Sequence, residues 1–333
     1  MDRPFAHIST TGPMATPSRS GATSRMLAIP LALLVLALAL LISAPDTASA
    51  ASGPGDTVKI SGTAYAFFGI DDRIPGAVVR VDEYPSISDP VAADGSYEIE
   101  VPDDATVTPY IEVPAGYQRI YLQTFHTSGQ DLEHVNFQVV PTLIYLALSG
   151  LLGVPLDENN QIEECAIVST FSIHEARDAT TFDPGFKDVY PHGLPGSTAT
   201  VAPVLGNTRG PIYFNESIFP DPAETESSVD GGVAWVEVPP GYYWLEPTHP
   251  AERLAPFLAH CENGRLINAN PPWGFYELKA GEEPDPAVMT VKLGKNPNKP
   301  KPKDKTSKKV AKDQQKIAEE LSKDKRPKVK LFR

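Results

Sequence analysis

Tryptophan and asparagine side chains are the groups in this sequence best suited to bind a ligand. Trp235 and Trp244 lie on two short alternating segments separated by the turn Pro239-Pro240-Gly241. If the segments pair as a hairpin with Val238 opposite Tyr243, both indoles point outward as diagonal neighbours, about 7 to 8 Å apart. Aromatic faces of this kind stack on sugar rings or on apolar surfaces of a partner. The pair therefore predicts a binding platform, unless another part of the chain covers it.

A second candidate binding segment follows later in the chain and is rich in turn-forming residues. It contains Asn268 and Asn270 and ends with the third tryptophan, Trp273. Side-chain amides and an indole together could hold a polyol through hydrogen bonds and ring stacking. The alternative is that the asparagines satisfy the backbone of their own loop.

No catalytic or metal-ligating motif is present in the sequence. The histidines are scattered, with neither a His-Glu-x-x-His nor a Gly-x-Ser-x-Gly pattern, and the acidic residues between Glu216 and Asp230 match no calcium loop. We therefore predict no catalytic residues, no metal and no cofactor. A hydrolase remains the alternative if folding brings His192, His249 or His260 to a carboxylate and a nucleophile.

The N-terminus predicts export from the cytoplasm. An apolar run from Leu27 to Ser43 follows Arg19 and Arg25 and precedes Ala48-Ser49-Ala50, the small-x-small pattern cut by signal peptidases. Residues 1–50 are thus predicted to be a removed signal peptide, with a retained anchor as the alternative.

Export also bears on the only two cysteines of the chain, Cys165 and Cys261. An even pair in an oxidising compartment predicts a disulfide, and two buried free thiols are the alternative.

Charge divides the exported part of the chain into two regions of opposite sign. Residues 51–294 carry 11 basic and 35 acidic side chains, a net charge of −24, whereas residues 295–333 carry 15 and 5, a net charge of +10. An acidic body repels phosphates, which argues against a nucleic-acid partner. The basic Lys/Pro-rich tail could contact anionic wall polymers or anionic lipid headgroups; a solvated, disordered or partly helical tail is the alternative.

The segments that must position these residues are short strands separated by Pro-Gly and Asp-Gly turns, a pattern typical of all-β proteins. The order Pro75-Gly76, strand, Asp94-Gly95, strand returns as Pro195-Gly196, strand, Asp230-Gly231, strand. At these residues the chain resembles the carboxypeptidase regulatory-like family, which has a transthyretin-like (prealbumin-like) β-sandwich close in fold to starch-binding modules. The resemblance implies two tandem sandwiches that serve as accessory, adhesive or binding modules, in some cases for carbohydrate.

The predicted organisation follows from this repeat. It places the signal peptide at 1–50, sandwich one at 58–140, a helical linker at 141–161, sandwich two at 162–294 and the tail at 295–333. The sequence thus predicts an exported, non-enzymatic binding or scaffolding protein of the cell envelope, with a glycan or another envelope polymer as the candidate ligand of Trp235, Trp244 and Trp273. An extracellular hydrolase with an interdomain site and a protein–protein adhesion module are the alternatives.

Overall fold

Strands and tight turns account for most of this structure, a computed structural model that describes residues 56–67, 69–178, 191–204 and 209–289. The described residues belong to one compact unit, Ser49–Arg333. The predicted signal peptide and the predicted basic tail lie outside the described residues. Within the described part, no helix is both long and apolar enough to cross a membrane.

The strands are β1 (Thr57–Ala66), β2 (Gly69–Arg73), β3 (Val78–Val81), β4 (Ser88–Pro90), β5 (Ser96–Pro102), β6 (Thr106–Val107), β7 (Pro109–Glu112), β8 (Ile120–Tyr121), β9 (Phe125–His126), β10 (Phe137–Val139), β11 (Cys165–Ser172), β12 (Thr198–Ala202), β13 (Arg209–Tyr213), β14 (Gly232–Val238), β15 (Gly241–Thr248), β16 (Arg253–Leu254), β17 (Phe257–Cys261), β18 (Leu266–Ala269) and β19 (Phe275–Leu278). The helices are α1 (Thr142–Leu152), α2 (His174–Asp178) and α3 (Pro286–Met289). The predicted all-β class is confirmed at this level.

The largest sheet runs through both halves of the described chain, in the order β13-β14-β11-β18-β8-β7-β3-β4, and β19 joins it beside β11. The halves meet where β18 pairs with β8 in parallel, with Ile267 opposite Tyr121. A smaller sheet of β10, β1, β2 and β5 and a three-stranded sheet, β12-β15-β17, complete the main layers. Because one sheet spans both halves, the tandem transthyretin-like arrangement and its domain bounds stay predictions.

Strand β5 shows how the sequence pattern builds these layers. The Asp94-Gly95 turn precedes it, and Gly95 has a φ of 87°, a left-handed conformation that glycine adopts without steric cost. From there Tyr97, Ile99 and Val101 are buried and the residues between them are exposed, the period-2 pattern of a sheet with one solvated face.

Two large apolar clusters and a small one, made of Ala255, Tyr276 and Leu278, form the interior of the described part of the chain. The first includes the buried faces of β1, β3, β5 and β7, and the second lies among β11, β14, β15, β17 and β19. The Cys165–Cys261 disulfide, with a Cα–Cα distance of 5.5 Å, joins β11 of the large sheet to β17 of the three-stranded sheet. The predicted pairing of the two cysteines is therefore confirmed.

Helix α1 occupies the position predicted for the helical linker and ends at Gly153, whose φ of 61° gives the expected left-handed cap. Arg209 holds this end of the helix, since its guanidinium donates to the carbonyls of Leu152 and Gly153 while its Nε donates to Glu237. At the other side of the helix, the backbone N–H of Ile162 donates to the Tyr145 hydroxyl at 2.8 Å.

Candidate ligand-binding cavity

One face of the large sheet forms the floor of a cavity. Every second residue on three neighbouring strands points into it. These residues are Gly232, Ala234 and Val236 of β14, Ala166, Val168 and Thr170 of β11, and Leu266 and Asn268 of β18. The small side chains of the first two strands leave room above the sheet.

Helix α1 and two neighbouring segments form the walls above this floor. Tyr145, Leu148, Ser149 and Leu152 come from the helix, Tyr65 to Phe67 from the end of β1, and Phe214, Ile218 and Pro220 from the loop after β13. The cavity has a volume of about 500 Å³. This volume falls within the range of small-molecule sites, about 300 to 1,000 Å³, and the walls are mostly apolar, as such sites usually are.

Three amide side chains meet at one side of the cavity. Asn268 donates to the backbone carbonyl of Gln138 at 3.1 Å, and Asn270 donates both to the Gln138 side chain and, at 2.6 Å, to Asn268. The hydroxyl of Thr170 donates to Asn270 at 3.0 Å. The predicted binding pair Asn268 and Asn270 therefore lines the cavity, in a network that fixes the orientation of both amides.

His192 and Asp230 line the same polar end. Their chain segments pack backbone against backbone: a Cβ on Gly193 would lie 2.3 Å from the backbone nitrogen of Gly231. Asp230 accepts a hydrogen bond from the Gly232 N–H at 3.1 Å. Burial raises the pKa of the Asp230 carboxyl and lowers the pKa of the His192 imidazole. Both shifts have the same cause, because this end of the cavity disfavours charge.

Two hydroxyls approach the same end but donate elsewhere. Ser169 donates to the backbone carbonyl of Ala269 at 2.8 Å, and Thr170 donates to Asn270. A nucleophilic hydroxyl has to donate its proton to a base in order to react. The cavity therefore contains a histidine, a carboxylic acid and two hydroxyls, which are the residue types of a hydrolase. However, both hydroxyls donate to acceptors other than His192.

The prediction that Trp235 points outward is wrong, because its side chain is fully buried, with 0% exposed. Strands β14 and β15 do not form a hairpin: β14 pairs with β11 and β13, whereas β15 pairs with β12 and β17. The chain instead turns from one sheet to the facing one. A left-handed residue near the end of β14, Glu237 with φ 56°, also breaks the alternation, so that Trp235 and Val238 both enter the second core cluster.

The two other tryptophans are partly buried and lie apart from the cavity floor. The indole of Trp244 donates to Glu246 at 2.7 Å. Trp273 packs edge-on against Phe125 at 5.0 Å and donates to the Glu133 carbonyl at 3.3 Å. The three tryptophans thus do not form one platform, and Trp273 connects the loop to the core.

A second, partly buried polar cluster brings His260 of strand β17 next to Asp82 and Glu83, which follow strand β3. One ligand atom each of Asp82, Glu83 and His260 fall within 4.8 Å of one another. However, Arg265 donates to both carboxylate oxygens of Asp82, at 3.0 and 2.9 Å, and to Glu262 at 2.7 Å. A guanidinium already neutralises these oxygens, so the cluster fits an ion pair better than a metal site.

No protein-family model and no curated protein matches this chain. Solved structures with some likeness include the Bacillus anthracis TIE protein, at 13% identity and a TM-score of 0.21, with 64% of this chain and 34% of that chain covered. The shaft pilin SpaA from Lactobacillus rhamnosus GG has 10% identity and a TM-score of 0.21, with 69% and 100% covered. The minor pilin GBS52 of Streptococcus agalactiae has 9% identity and a TM-score of 0.22, with 68% and 99% covered.

The chain thus spans about a third of the length of the TIE protein. At TM-scores this low the likenesses support no conclusion about fold or function, and the carboxypeptidase regulatory-like resemblance stays a prediction. The cavity was not predicted from the sequence. Its only local signal is a set of small residues at alternate positions in strands β11 and β14.

Proposed function

We propose that this chain is an exported, non-enzymatic binding protein of the cell envelope whose cavity holds a small, largely apolar molecule. The observation that carries the proposal is the cavity of about 500 Å³ between helix α1 and the floor strands, which is lined mainly by aliphatic and aromatic side chains. Binding is favourable when an apolar ligand of matching shape leaves water and fills a preformed apolar cavity.

The disulfide supports the extracytoplasmic part of the proposal. Disulfides persist in oxidising compartments, and Cys165 and Cys261 are bonded across the second core cluster. A scaffolding or adhesive role at the envelope is compatible with such a protein. The carbohydrate version has less support, because Trp235 is buried and the indole N–H of Trp244 is used by Glu246.

A hydrolase is the second candidate, since His192, Asp230 and Thr170 line one cavity. The hydrogen bond from Thr170 to Asn270 argues against it. The test is hydrolysis of p-nitrophenyl hexanoate by the wild type and a His192→Ala variant. We expect equal rates; a wild-type rate at least tenfold above the variant would establish the hydrolase instead.

Binding can be tested with N-phenyl-1-naphthylamine, an uncharged dye that fluoresces in apolar surroundings. We expect saturable enhancement with the wild type. The variant Val168→Phe fills the cavity from its floor and should weaken dye binding at least tenfold. Absence of saturable binding by the wild type would refute the proposal.

The matched control is Leu143→Phe, on the outer face of helix α1, where the side chain is 80% exposed and does not line the cavity. It should bind the dye like the wild type. If the far-UV circular dichroism spectrum of Val168→Phe is altered, the test uses Leu148→Trp instead, a variant that fills the cavity from the helix side. Equal weakening by Leu143→Phe would place the dye outside the cavity.

A further inference from the structure

We propose that the ligand of this cavity is a single-chain amphiphile with an uncharged hydroxyl head group, and that anionic amphiphiles such as fatty acid anions are excluded. This inference rests on the proposed function, because it specifies the ligand of the same cavity. It is carried by two features of the lining, the direction in which polarity changes along the floor and the charge of the side chains at the polar end.

Polarity changes in one direction along the floor, as the strand register shows. At the end nearest helix α1, Ala166 pairs with Leu266. One step further, Val168 pairs with Ala234 on one side and Asn268 on the other.

The polar end follows at the next step along the same strands. There Thr170 pairs with Gly232 and donates to Asn270, and Asp230 and His192 lie just beyond. A cavity that is apolar at one end and polar at the other orients an amphiphile with its chain towards helix α1.

The charges at the polar end select against an anion. Among the described residues that line the cavity there is no lysine or arginine, and the one carboxylic acid is Asp230. Carboxylate and phosphate ligands are usually held by cationic or clustered N–H donors. Here an anionic head would lie near a partly buried carboxylate without a cation, and the surrounding body carries a net charge of −24.

An uncharged hydroxyl matches the groups that remain. Such a head can donate to the Asp230 carboxylate, which only accepts, and can accept from an amide N–H of the Gln138, Asn268 and Asn270 network. Both hydrogen bonds leave the head neutral, as the burial of this end favours.

The experiment compares 1-decanol with decanoate by isothermal titration calorimetry at pH 7.5, where decanoate is ionised. The two probes share chain length and differ in the head group. We expect decanol to displace the dye and to bind at least tenfold more tightly than decanoate. If decanoate binds as tightly as decanol or more tightly, and the wild type binds the dye in a separate titration, this inference is overturned and the proposed function stands. No binding of dye or decanol would refute both.

The variant Asp230→Asn separates charge from shape. Asparagine keeps an oxygen that accepts from the Gly232 N–H and from a ligand hydroxyl, but it removes the negative charge. We expect decanoate affinity to rise at least fivefold, whereas decanol affinity should not rise, because a neutral amide oxygen accepts a hydrogen bond more weakly than a carboxylate does. The control Glu216→Gln removes an exposed charge from the neighbouring loop and should leave the decanol-to-decanoate ratio unchanged. A ratio unaffected by Asp230→Asn would contradict the assignment of Asp230.

Discussion

Arg265 and Asp82 form a partly buried ion pair that connects the two halves of the described chain. The Arg265 Nη2 lies 3.0 and 2.9 Å from the two carboxylate oxygens of Asp82, which follows strand β3. The guanidinium also lies 4.4 Å from the ring centroid of Tyr121, on strand β8. Only 5% of the Arg265 side chain is exposed, so solvent screens this pair weakly.

Arg265→Met should destabilise the protein substantially. The substitution keeps an apolar stem but leaves Asp82 and Glu262 without their cation, and breaking a buried pair on one side typically costs about 3 to 5 kcal/mol. Because Asp82 is 25% exposed, we expect a lower value, about 2 to 4 kcal/mol. Urea denaturation measures it.

The control is Arg253→Met, which removes an exposed pair with Glu283. Its denaturation midpoint should match that of the wild type, as is common for surface pairs. The double variant Asp82→Asn/Arg265→Met should recover part of the loss, because the charge of Asp82 is then removed together with its cation and only Glu262 is left unpaired. Equal midpoints for Arg265→Met and Arg253→Met would contradict the role given to Arg265.

Glu83 makes the stability of the fold depend on pH. Burial, opposed by hydrogen bonds from Thr108, raises the pKa of its carboxyl to about 7. Between pH 4.5 and 7 the folded state therefore binds more protons than the unfolded state, so the free energy of unfolding falls as pH rises. Glu83→Gln should stabilise the protein by about 1 to 3 kcal/mol at pH 8, with the gain vanishing below pH 4.5.

His260 acts in the opposite direction over an overlapping range. Burial and the neighbouring Arg265 lower its pKa to about 4. Between about pH 4 and 6.5 the unfolded state binds the extra proton, so this group makes stability rise with pH. Denaturation midpoints of Glu83→Gln at intervals from pH 4 to 8 should thus rise to about 6.5 and then level off. A profile that still falls between pH 6.5 and 8 would show that another group causes the decline.

The local elements of this fold could be predicted from the sequence, because short-range chemistry determines them. Gly153 ended helix α1 where expected, and the even cysteine count anticipated the disulfide. The pairing partner of β15 could not be predicted, because Pro239-Pro240-Gly241 specifies a reversal of direction but not the sheet that the next strand joins. The outward orientation of Trp235 was wrongly predicted because it assumed that β14 and β15 pair as a hairpin.

The candidate site was predicted only in part. Asn268 and Asn270 were identified by residue type, and the structure places them in the cavity. Strand β14 is buried on both faces, so its sequence lacks the alternation of apolar and polar residues, and only the small residues Gly232 and Ala234 mark the side that faces the cavity. The approach of His192 to Asp230 depends on the close contact of Gly193 with Gly231, a long-range relationship that the spacing of residues does not encode.

Loss of the disulfide should weaken the fold without changing its core packing elsewhere. Cys165 and Cys261 are 96 residues apart in sequence, and removing a native disulfide typically costs about 2 to 5 kcal/mol. We expect a fall in this range for Cys165→Ala/Cys261→Ala, measured by urea denaturation. Reductant should lower the wild-type midpoint in the same way and leave the double variant unaffected. A reductant-insensitive wild type would contradict the bonded pair.

Arg209 should control the rigidity of helix α1 and, through it, ligand binding. Its guanidinium holds the carbonyls of Leu152 and Gly153, where the helix would otherwise leave acceptors unsatisfied. Since α1 is a wall of the cavity, Arg209→Met should speed amide exchange of residues 142–152 and weaken dye binding about three- to tenfold. Hydrogen–deuterium exchange and fluorescence titration measure the two effects.

The exposed control Arg253→Met should leave both the exchange of this helix and dye affinity unchanged. Two results separate the structural from the functional role of Arg209. Unchanged exchange in Arg209→Met would show that the guanidinium does not restrain the helix. Faster exchange with unchanged dye affinity would show that the helix end does not shape the cavity, because a loosened wall must lower the affinity of a ligand that contacts it.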